Sequence, residues 1–156
     1  MMLVDANVLV YAHNVNADRH LEYRGWLHEM LAGPEPYAVS DFALNGMVRV
    51  ITDRRIFSPP TPLPRALAFA DEIRNQPHAE VVNPGPRFWP IFTDQCGKAG
   101  AVGKLIPDAY LAALAIEHGC ELITTDGDFE RFPGLRWRHP LDSGGGFQGV
   151  APPGQH

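Results

Sequence analysis

One stretch, residues 105–132, constrains the fold of this chain more than any other. It begins with a nearly all-apolar run in which every residue from 109 to 116 is apolar or tyrosine. This run predicts a helix that is buried on most of its circumference. Pro107 suits the first helical position, so Ile106 is the expected cap, and Gly119 is the expected stop before a short apolar strand. A helix of this kind must be covered on several sides, which requires a layered domain.

Short apolar runs and helical patterns alternate along the rest of the chain. Strands are predicted at residues 1–4, 37–39, 79–82 and 135–137, besides the strand after Gly119. Helices are predicted at residues 8–12, 23–31, 42–52, 63–74 and within 84–103. Ser40 or Asp41 is the expected cap of the helix at 42–52. Strands that alternate with helices favour a parallel sheet covered by helices on both faces, so the predicted fold class is α/β.

The length and composition indicate one folded domain with a short tail. A chain of 156 residues, 45% of them apolar, can bury a substantial core. Residues 143–156 are rich in Gly, Pro and Gln, and such a segment cannot bury enough apolar surface to become ordered by itself. We therefore predict a domain over residues 1–142 and a flexible Gly/Pro-rich tail over residues 143–156.

Charge and cysteine usage narrow the class of protein further. The formal net charge is −5, from 13 Lys and Arg against 18 Asp and Glu, so nucleic-acid binding would have to be local. Cys96 and Cys120 lie far apart without metal-ligand spacing, which fits a reducing compartment. The sequence has no apolar run of membrane-spanning length and no basic-then-apolar leader. A cytoplasmic protein without a membrane anchor is expected.

Four aspartates lie at the ends of predicted elements: Asp5, Asp108, Asp126 and Asp128. Singly, each has a structural alternative. Asp5 could form an Asx-turn, Asp126 precedes a glycine in an ordinary turn dipeptide, and Asp128 could cap a short helix at residues 129–132. Together they favour a site, since parallel strands bring their carboxyl ends to one edge of a sheet. Carboxylates gathered there would raise one another's pKa unless a divalent ion neutralised them, and all-oxygen ligands suit Mg²⁺ or Mn²⁺.

Four segments carry a resemblance to a known family. They are LVDANVLVYA at residues 3–12, SDFALNGMVRVIT at 40–52, IPDAYLAALAIEHG at 106–119 and ELITTDGDFERFPGLRW at 121–137. With these segments in this order, the chain resembles a PIN-domain ribonuclease, specifically a VapC-type toxin of a type II toxin–antitoxin pair. The resemblance implies an α/β/α sandwich whose acidic pocket binds Mg²⁺ or Mn²⁺ and cleaves RNA phosphodiesters with metal-activated water.

The resemblance also implies roles for particular residues and partners. The acidic, metal-binding and catalytic positions of the family fall on Asp5, Asp108, Asp126 and Asp128. Asn7 and Thr125 could orient ligands or water, or could simply satisfy local backbone groups. The implied partners are an RNA substrate, a cognate VapB-type antitoxin and a second copy of the chain. Phe57 and Trp89 are the expected contact residues for these protein partners.

One position departs from the family pattern. Relatives often carry a glutamate in the helix after the second strand, where this chain has Gly46. Helix geometry points the nearby Asp41 and Asn45 in other directions, so neither is expected to replace it. Among basic residues, Arg54 and Arg55 are the favoured candidates for phosphate contacts, ahead of Arg49 and Lys104.

Two alternatives to the nuclease interpretation stay open. The first is a catalytically weak PIN-like module that acts through protein binding, which the glycine at position 46 favours. The second is a phosphoryl-transfer enzyme of the dehalogenase type, suggested by the Asp126-x-Asp128 pair. The second is disfavoured because Phe129 and Glu130 follow the pair where such motifs carry a small hydroxyl residue.

Overall fold

Five short parallel strands form one sheet in the order β3-β2-β1-β4-β5. The computed structural model describes residues 1–142, so the tail predicted for residues 143–156 lies outside the described residues. The strands are β1 Met2–Val4, β2 Tyr37–Val39, β3 Ala79–Val81, β4 Glu121–Ile123 and β5 Trp137–Arg138. Every pairing between neighbours in the sheet is parallel. The predicted α/β class is confirmed.

Six α-helices and one short 3₁₀ helix, at Gly127–Arg131, surround the sheet in the described part of the chain. The α-helices are α1 Ala6–His13, α2 His20–Ala32, α3 Asp41–Thr52, α4 Leu63–Arg74, α5 Phe88–Ala99 and α6 Leu105–Glu117. Successive strand residues face opposite sides of a sheet. Val4 belongs to the core formed with α1 to α4, and Leu3 to the core formed with α5 and α6. The domain is therefore the three-layer α/β/α sandwich that the resemblance implies.

Helix α6 has the buried character that its sequence predicts, but it begins earlier than expected. Its residues from Leu111 to Ala115 are all buried, and Gly119, with φ of 67°, follows it in the left-handed conformation. The helix starts at Leu105 with Lys104 before it, so the prediction of Ile106 as the cap is wrong. Pro107 is tolerated at the third position because the first four N–H groups of a helix have no intrahelical acceptor.

Two other local predictions are settled by hydrogen bonds or strand bounds. The cap of α3 is Ser40, whose Oγ accepts hydrogen bonds from the backbone N–H groups of Phe42 and Ala43 at 3.1 and 3.4 Å. Asp41 instead pairs with Arg74 on α4 at 2.7 Å. The last strand lies at 137–138, not at the predicted 135–137.

Among the described residues, no helix has both the length and the apolar character needed to cross a membrane.

Candidate functional site

The pairing of β1 with β4 brings the polar residues that follow the two strands side by side. Val4 lies opposite Ile123 in the sheet, and the backbone N–H of Asp5 donates to the Ile123 carbonyl at 2.9 Å. The Thr124 hydroxyl donates to Oδ2 of Asp5 at 2.8 Å. Residues 119 positions apart in the chain thus share one edge of the sheet.

The Thr124 side chain is the centre of a hydrogen-bond network at this edge. It is fully buried, and its oxygen accepts from Nδ2 of Asn7 at 3.3 Å and from the backbone N–H of Asp126 at 3.1 Å. Oδ1 of Asn7 accepts from the Thr125 backbone N–H at 3.3 Å. Sequence patterns pointed to Asn7 and Thr125 but missed Thr124. The available signal was a hydroxyl residue directly after a strand, at the position equivalent to Asp5.

Asp5 is held in place by both of its carboxylate oxygens. While Oδ2 accepts from Thr124, Oδ1 accepts from the Ala6 backbone N–H at 2.7 Å, which makes Asp5 the cap of α1. Burial raises the pKa of Asp5, the two hydrogen bonds oppose that change, and the charge of Asp126 adds to it. The side chain is therefore oriented before any ligand arrives.

Asp126 and Asp128 follow β4 in different environments. Oδ1 of Asp126 accepts from the Asp128 backbone N–H at 2.8 Å, so Asp126 caps the 3₁₀ helix that starts at Gly127. The alternative in which Asp128 would cap this short helix does not apply, because the helix begins one residue before Asp128. Asp128 itself is exposed.

Asp108 approaches the same edge from the first turn of α6 and is half-buried. Burial raises its pKa to about 6, and the charges of Asp126, Asp5 and Asp128 contribute to that rise. The Lys104 ammonium opposes it. The four predicted acids therefore act on one another electrostatically, although they come from separate parts of the chain.

Three of these acids line one cavity of about 430 Å³. The lining includes Asp5, Asn7, Asp108 and Asp126 together with Gly46, Arg49, Ile56 and Phe57. We refer to it as the acid cavity. Asp128 is not part of its lining and contributes only through its charge. Position 46 does face this cavity, and a Cβ built there would lie 3.6 Å from Cβ of Ala6, which is ordinary van der Waals contact.

The acid cavity has the donors for a divalent cation but not yet a closed coordination site. Within residues 1–142, no three His, Cys, Asp or Glu side chains are arranged so that they could hold a metal ion as they stand. Burial first, and the neighbouring carboxylates after it, raise the pKa of Asp108, and a bound cation would oppose both effects. Oxygen donors of this kind suit Mg²⁺ or Mn²⁺. Asp5, Asp108 and Asp126 therefore fit such an ion if their side chains move closer together.

The basic residues near the acids are not the ones that the sequence favoured as candidates for phosphate contacts. Arg49 of α3 lines the acid cavity. The Arg55 guanidinium is 85% exposed but donates to both carboxylate oxygens of Asp53, at 3.2 and 3.1 Å. Arg49 therefore lies at the acids, while Arg55 is paired with Asp53 and is not part of the cavity lining.

Comparison with known proteins shows the family to which this chain belongs. A family model described as the PIN domain matches residues 2–135. The chain is 41% identical over 140 residues to ribonuclease VapC31 of Mycobacterium tuberculosis, covering 90% of this chain and 99% of the relative. It is 42% identical over 142 residues to VapC ribonuclease Mb2897 of Mycobacterium bovis, covering 91% and 97%. The chain belongs to the PIN-domain family and, within it, to the VapC group.

Solved structures agree on the fold. VapBC2 from Rickettsia felis bound to promoter DNA matches with a TM-score of 0.64 at 20% identity, covering 88% of this chain and 97% of that one. Mycobacterium tuberculosis VapC20, described as a sarcin–ricin loop cleaving toxin, matches with a TM-score of 0.62 at 18% identity, covering 87% and 99%. Membership of the PIN family removes the dehalogenase-type alternative.

Proposed function

We propose that this chain is an endoribonuclease toxin that hydrolyses RNA phosphodiesters with Mg²⁺ or Mn²⁺. The observation that carries the proposal is the meeting of Asp5, Asp108 and Asp126 in one cavity from three separate elements. The names of the VapC relatives, all ribonucleases, support the reaction class. Asp5, Asp108 and Asp126 would hold the ion, with Asp128 adding charge from the rim.

The side chains of the acid cavity would have different roles in this reaction. A bound divalent ion would lower the pKa of a water molecule and neutralise charge that develops on the phosphate. Thr124 and the Ala6 N–H hold the Asp5 carboxylate in one orientation. Burial and the neighbouring carboxylates raise the pKa of Asp108 to about 6, and a bound cation would oppose that rise by favouring the charged form. Arg49 supplies a positive charge where a phosphate would enter.

The test is cleavage of a mixed RNA by the purified chain in Mg²⁺ or Mn²⁺, with a chelator as the blank. Asp5→Ala, Asp108→Ala and Asp126→Asn should each reduce the rate roughly 100-fold or more, since each removes an oxygen ligand. Asp128→Ala should have a smaller effect. Asp71→Asn, an exposed acid on α4, is the matched control and should cleave normally.

The same assay separates the nuclease from the protein-binding alternative. If the purified chain cleaves no RNA with either ion, and Asp126→Asn is as toxic as the parent on expression, the chain acts through protein contacts. If the chain does cleave RNA, sequencing the new RNA ends after brief induction would identify the RNA that it cuts.

We also propose two protein partners and a cytoplasmic location, where such an RNA substrate is found. Solved neighbours of the fold include VapBC complexes, which supports a VapB-type antitoxin that covers the acid cavity. Phe57 lines this cavity, while Trp89 on α5 is 65% exposed and available for contact with a second copy of the chain. The mass in solution and co-purification with the product of a neighbouring gene test both partners. A monomer that captures no such product would contradict them.

A further inference from the structure

A second cavity adjoins the acid cavity and has a different chemical character. It has a volume of about 400 Å³, within the range typical of ligand pockets. Tyr11 and Asn14 line both cavities. The remaining lining residues are Ala17, Asp18, Arg19, Tyr23, Thr125 and His139. Since Thr125 directly precedes Asp126, a molecule bound at the acids can extend into this second cavity without leaving the surface.

We propose that the second cavity binds the base of a nucleotide adjacent to the phosphate at the acids, with Tyr11 as its stacking surface and Tyr23 as a hydrogen-bond donor. The proposal rests on the proposed ribonuclease function and identifies a determinant of its substrate preference. Single-stranded RNA is recognised mainly by aromatic stacking and by hydrogen bonds to base edges.

Tyr11 has the exposure and the support that a stacking surface needs. Its side chain is 37% exposed on α1, one turn after Asn7 in the acid cavity. Its ring is backed by that of Tyr23, with the ring centres 5.2 Å apart and the planes tilted by 42°. Tyr23 is buried, so it fixes the orientation of the Tyr11 ring. The open part of the Tyr11 ring is therefore presented between the two cavities.

The hydroxyl of Tyr23 has a proton to donate because of its histidine neighbour. The Leu141 backbone N–H donates to Nδ1 of His139 at 3.1 Å, so the proton of the neutral imidazole is on Nε2. Nε2 lies 3.3 Å from the Tyr23 oxygen and donates to it. Burial lowers the pKa of His139, which favours this neutral form. The Tyr23 hydroxyl thus accepts from His139 and keeps its own proton for an acceptor in the cavity.

The charged residues of the second cavity make it unsuitable for a second phosphate. Arg19 donates to both carboxylate oxygens of Glu22 at 2.9 Å, so its charge is already paired. Asp18 adds a negative charge to the lining. An uncharged, flat ring with hydrogen-bonding edges is the part of RNA that fits these walls.

Two tyrosine variants separate stacking from edge recognition. Tyr11→Ala should weaken binding of short single-stranded RNAs roughly tenfold or more, whatever their sequence, because stacking accepts every base. Tyr11→Phe should bind like the parent. Tyr23→Phe keeps both rings but removes the donor, so it should change which base flanks the cut while total binding changes little.

The matched control is Phe42→Ala. Phe42 is 38% exposed and its ring rests on that of Tyr110 at 4.4 Å, but it lines neither cavity. Binding is measured by fluorescence anisotropy of labelled RNA in chelator, so that it does not depend on cleavage. The flanking base is read by mapping RNA ends after cleavage with Mn²⁺.

The outcomes distinguish this subsite from the proposed function. Tyr11-dependent binding by a chain that never cleaves would support the subsite and contradict the nuclease. Cleavage that requires Asp126, together with equal RNA binding by Tyr11→Ala and Phe42→Ala, would overturn the subsite alone. Loss of antitoxin binding by Tyr11→Ala with unchanged RNA binding would likewise overturn it, because the surface would then serve a protein.

Discussion

The Thr124 hydroxyl makes three hydrogen bonds through one oxygen atom, and every partner belongs to the site or its support. Replacing Thr124 with valine keeps the shape but leaves the Asp126 N–H without this acceptor. We expect the free energy of unfolding to fall by about 2 kcal/mol, the usual effect of an unsatisfied buried polar group. RNA cleavage should fall as well, because Asp5 loses a donor that orients it.

Thr124→Ser is the control for this substitution. It retains the hydroxyl and should recover most of the cleavage rate, although it loses a buried methyl group. Denaturant unfolding and initial cleavage rates measure the two effects. A valine variant with the stability and activity of the parent would show that the network merely accompanies the site.

Asp108 gives the fold a stability that depends on pH. Its pKa is about 6 in the folded chain against 3.8 as the ordinary value, so the folded state binds more protons than the unfolded state between these limits. The free energy of unfolding therefore falls as pH rises through this window. Asp108→Asn in chelator should gain about 1 kcal/mol near pH 8, after allowance for solvent screening of a half-exposed group.

This gain should shrink as the pH is lowered toward about 4.5, because the parent Asp108 is then protonated in the folded state. Denaturant unfolding of both proteins at several pH values checks the trend. Asp71→Asn, an exposed acid on α4, is the control variant. A gain that is constant with pH would assign the effect to packing.

At the level of single residues, sequence identified the acids more readily than their support. Asp5, Asp108 and Asp126 were recognisable because each lies at the end of an apolar element. The choice between Thr124 and Thr125 depends on strand register, which places one hydroxyl beside Asp5 and the other in a neighbouring cavity. The sequence offered Asp128 as a possible cap of the 3₁₀ helix, and the structure has Asp126 there, because either aspartate could precede such a short turn.

Helix α3 contributes a glycine to the acid cavity, and this element can be tested by filling that position. Since a Cβ at position 46 meets Ala6 at an ordinary 3.6 Å, Gly46→Ala should stabilise the helix by up to about 1 kcal/mol. Cleavage should be unchanged.

Gly46→Glu asks whether the cavity can accept a further ligand. In chelator the additional carboxylate should lower the melting temperature through repulsion, and Mn²⁺ should restore more stability than it adds to the parent. Thermal melting with a Mn²⁺ titration compares the two shifts. Equal shifts for both proteins would mean that a glutamate at this position does not reach the ion.

The positions of helices and strands were predicted well from the periodicity of apolar residues. The residues at which these elements begin and end were predicted poorly. The first four strands and the amphipathic helices lie where apolar spacing indicated, because burial of one face is a property of the sequence itself. The predicted start of α6 was wrong because it relied on the usual preference of proline for the first position of a helix. The backbone N–H groups of Leu105 and Ile106 donate hydrogen bonds to the carbonyls of Val102 and Gly103 at the true start of the helix. These backbone hydrogen bonds cannot be predicted from residue types.

For the whole molecule, an acidic protein that binds RNA should do so with few phosphate contacts. The net charge is −5, and the basic residues proposed for phosphates are Arg49, Arg54, Arg55 and Lys104. Four contacts at most give a slope of log affinity against log salt no steeper than about −3 for a single strand. Anisotropy titrations at several salt concentrations in chelator measure this slope. A steeper one would reveal a basic surface formed by more residues than these.

The parallel sheet followed from the alternation of elements, but its strand order did not. β1 lies between β2 and β4. The pairing of β1 with β4, which are far apart in the sequence, cannot be deduced from local pattern. That order is what brings Asp5 next to the residues after β4.

The pairing of β1 with β4 also determines when the acid cavity can form during synthesis of the chain. Val4 pairs with Ile123, so a nascent chain that has not yet released β4 from the ribosome holds Asp5 without Asp108 and Asp126 beside it. Domains form from the N-terminus at translation speeds of roughly 5–20 residues per second, and contacts between distant segments come late. Fragments that lack β4 would therefore carry no acid cavity, so the proposed nuclease activity would require synthesis to continue at least through β4.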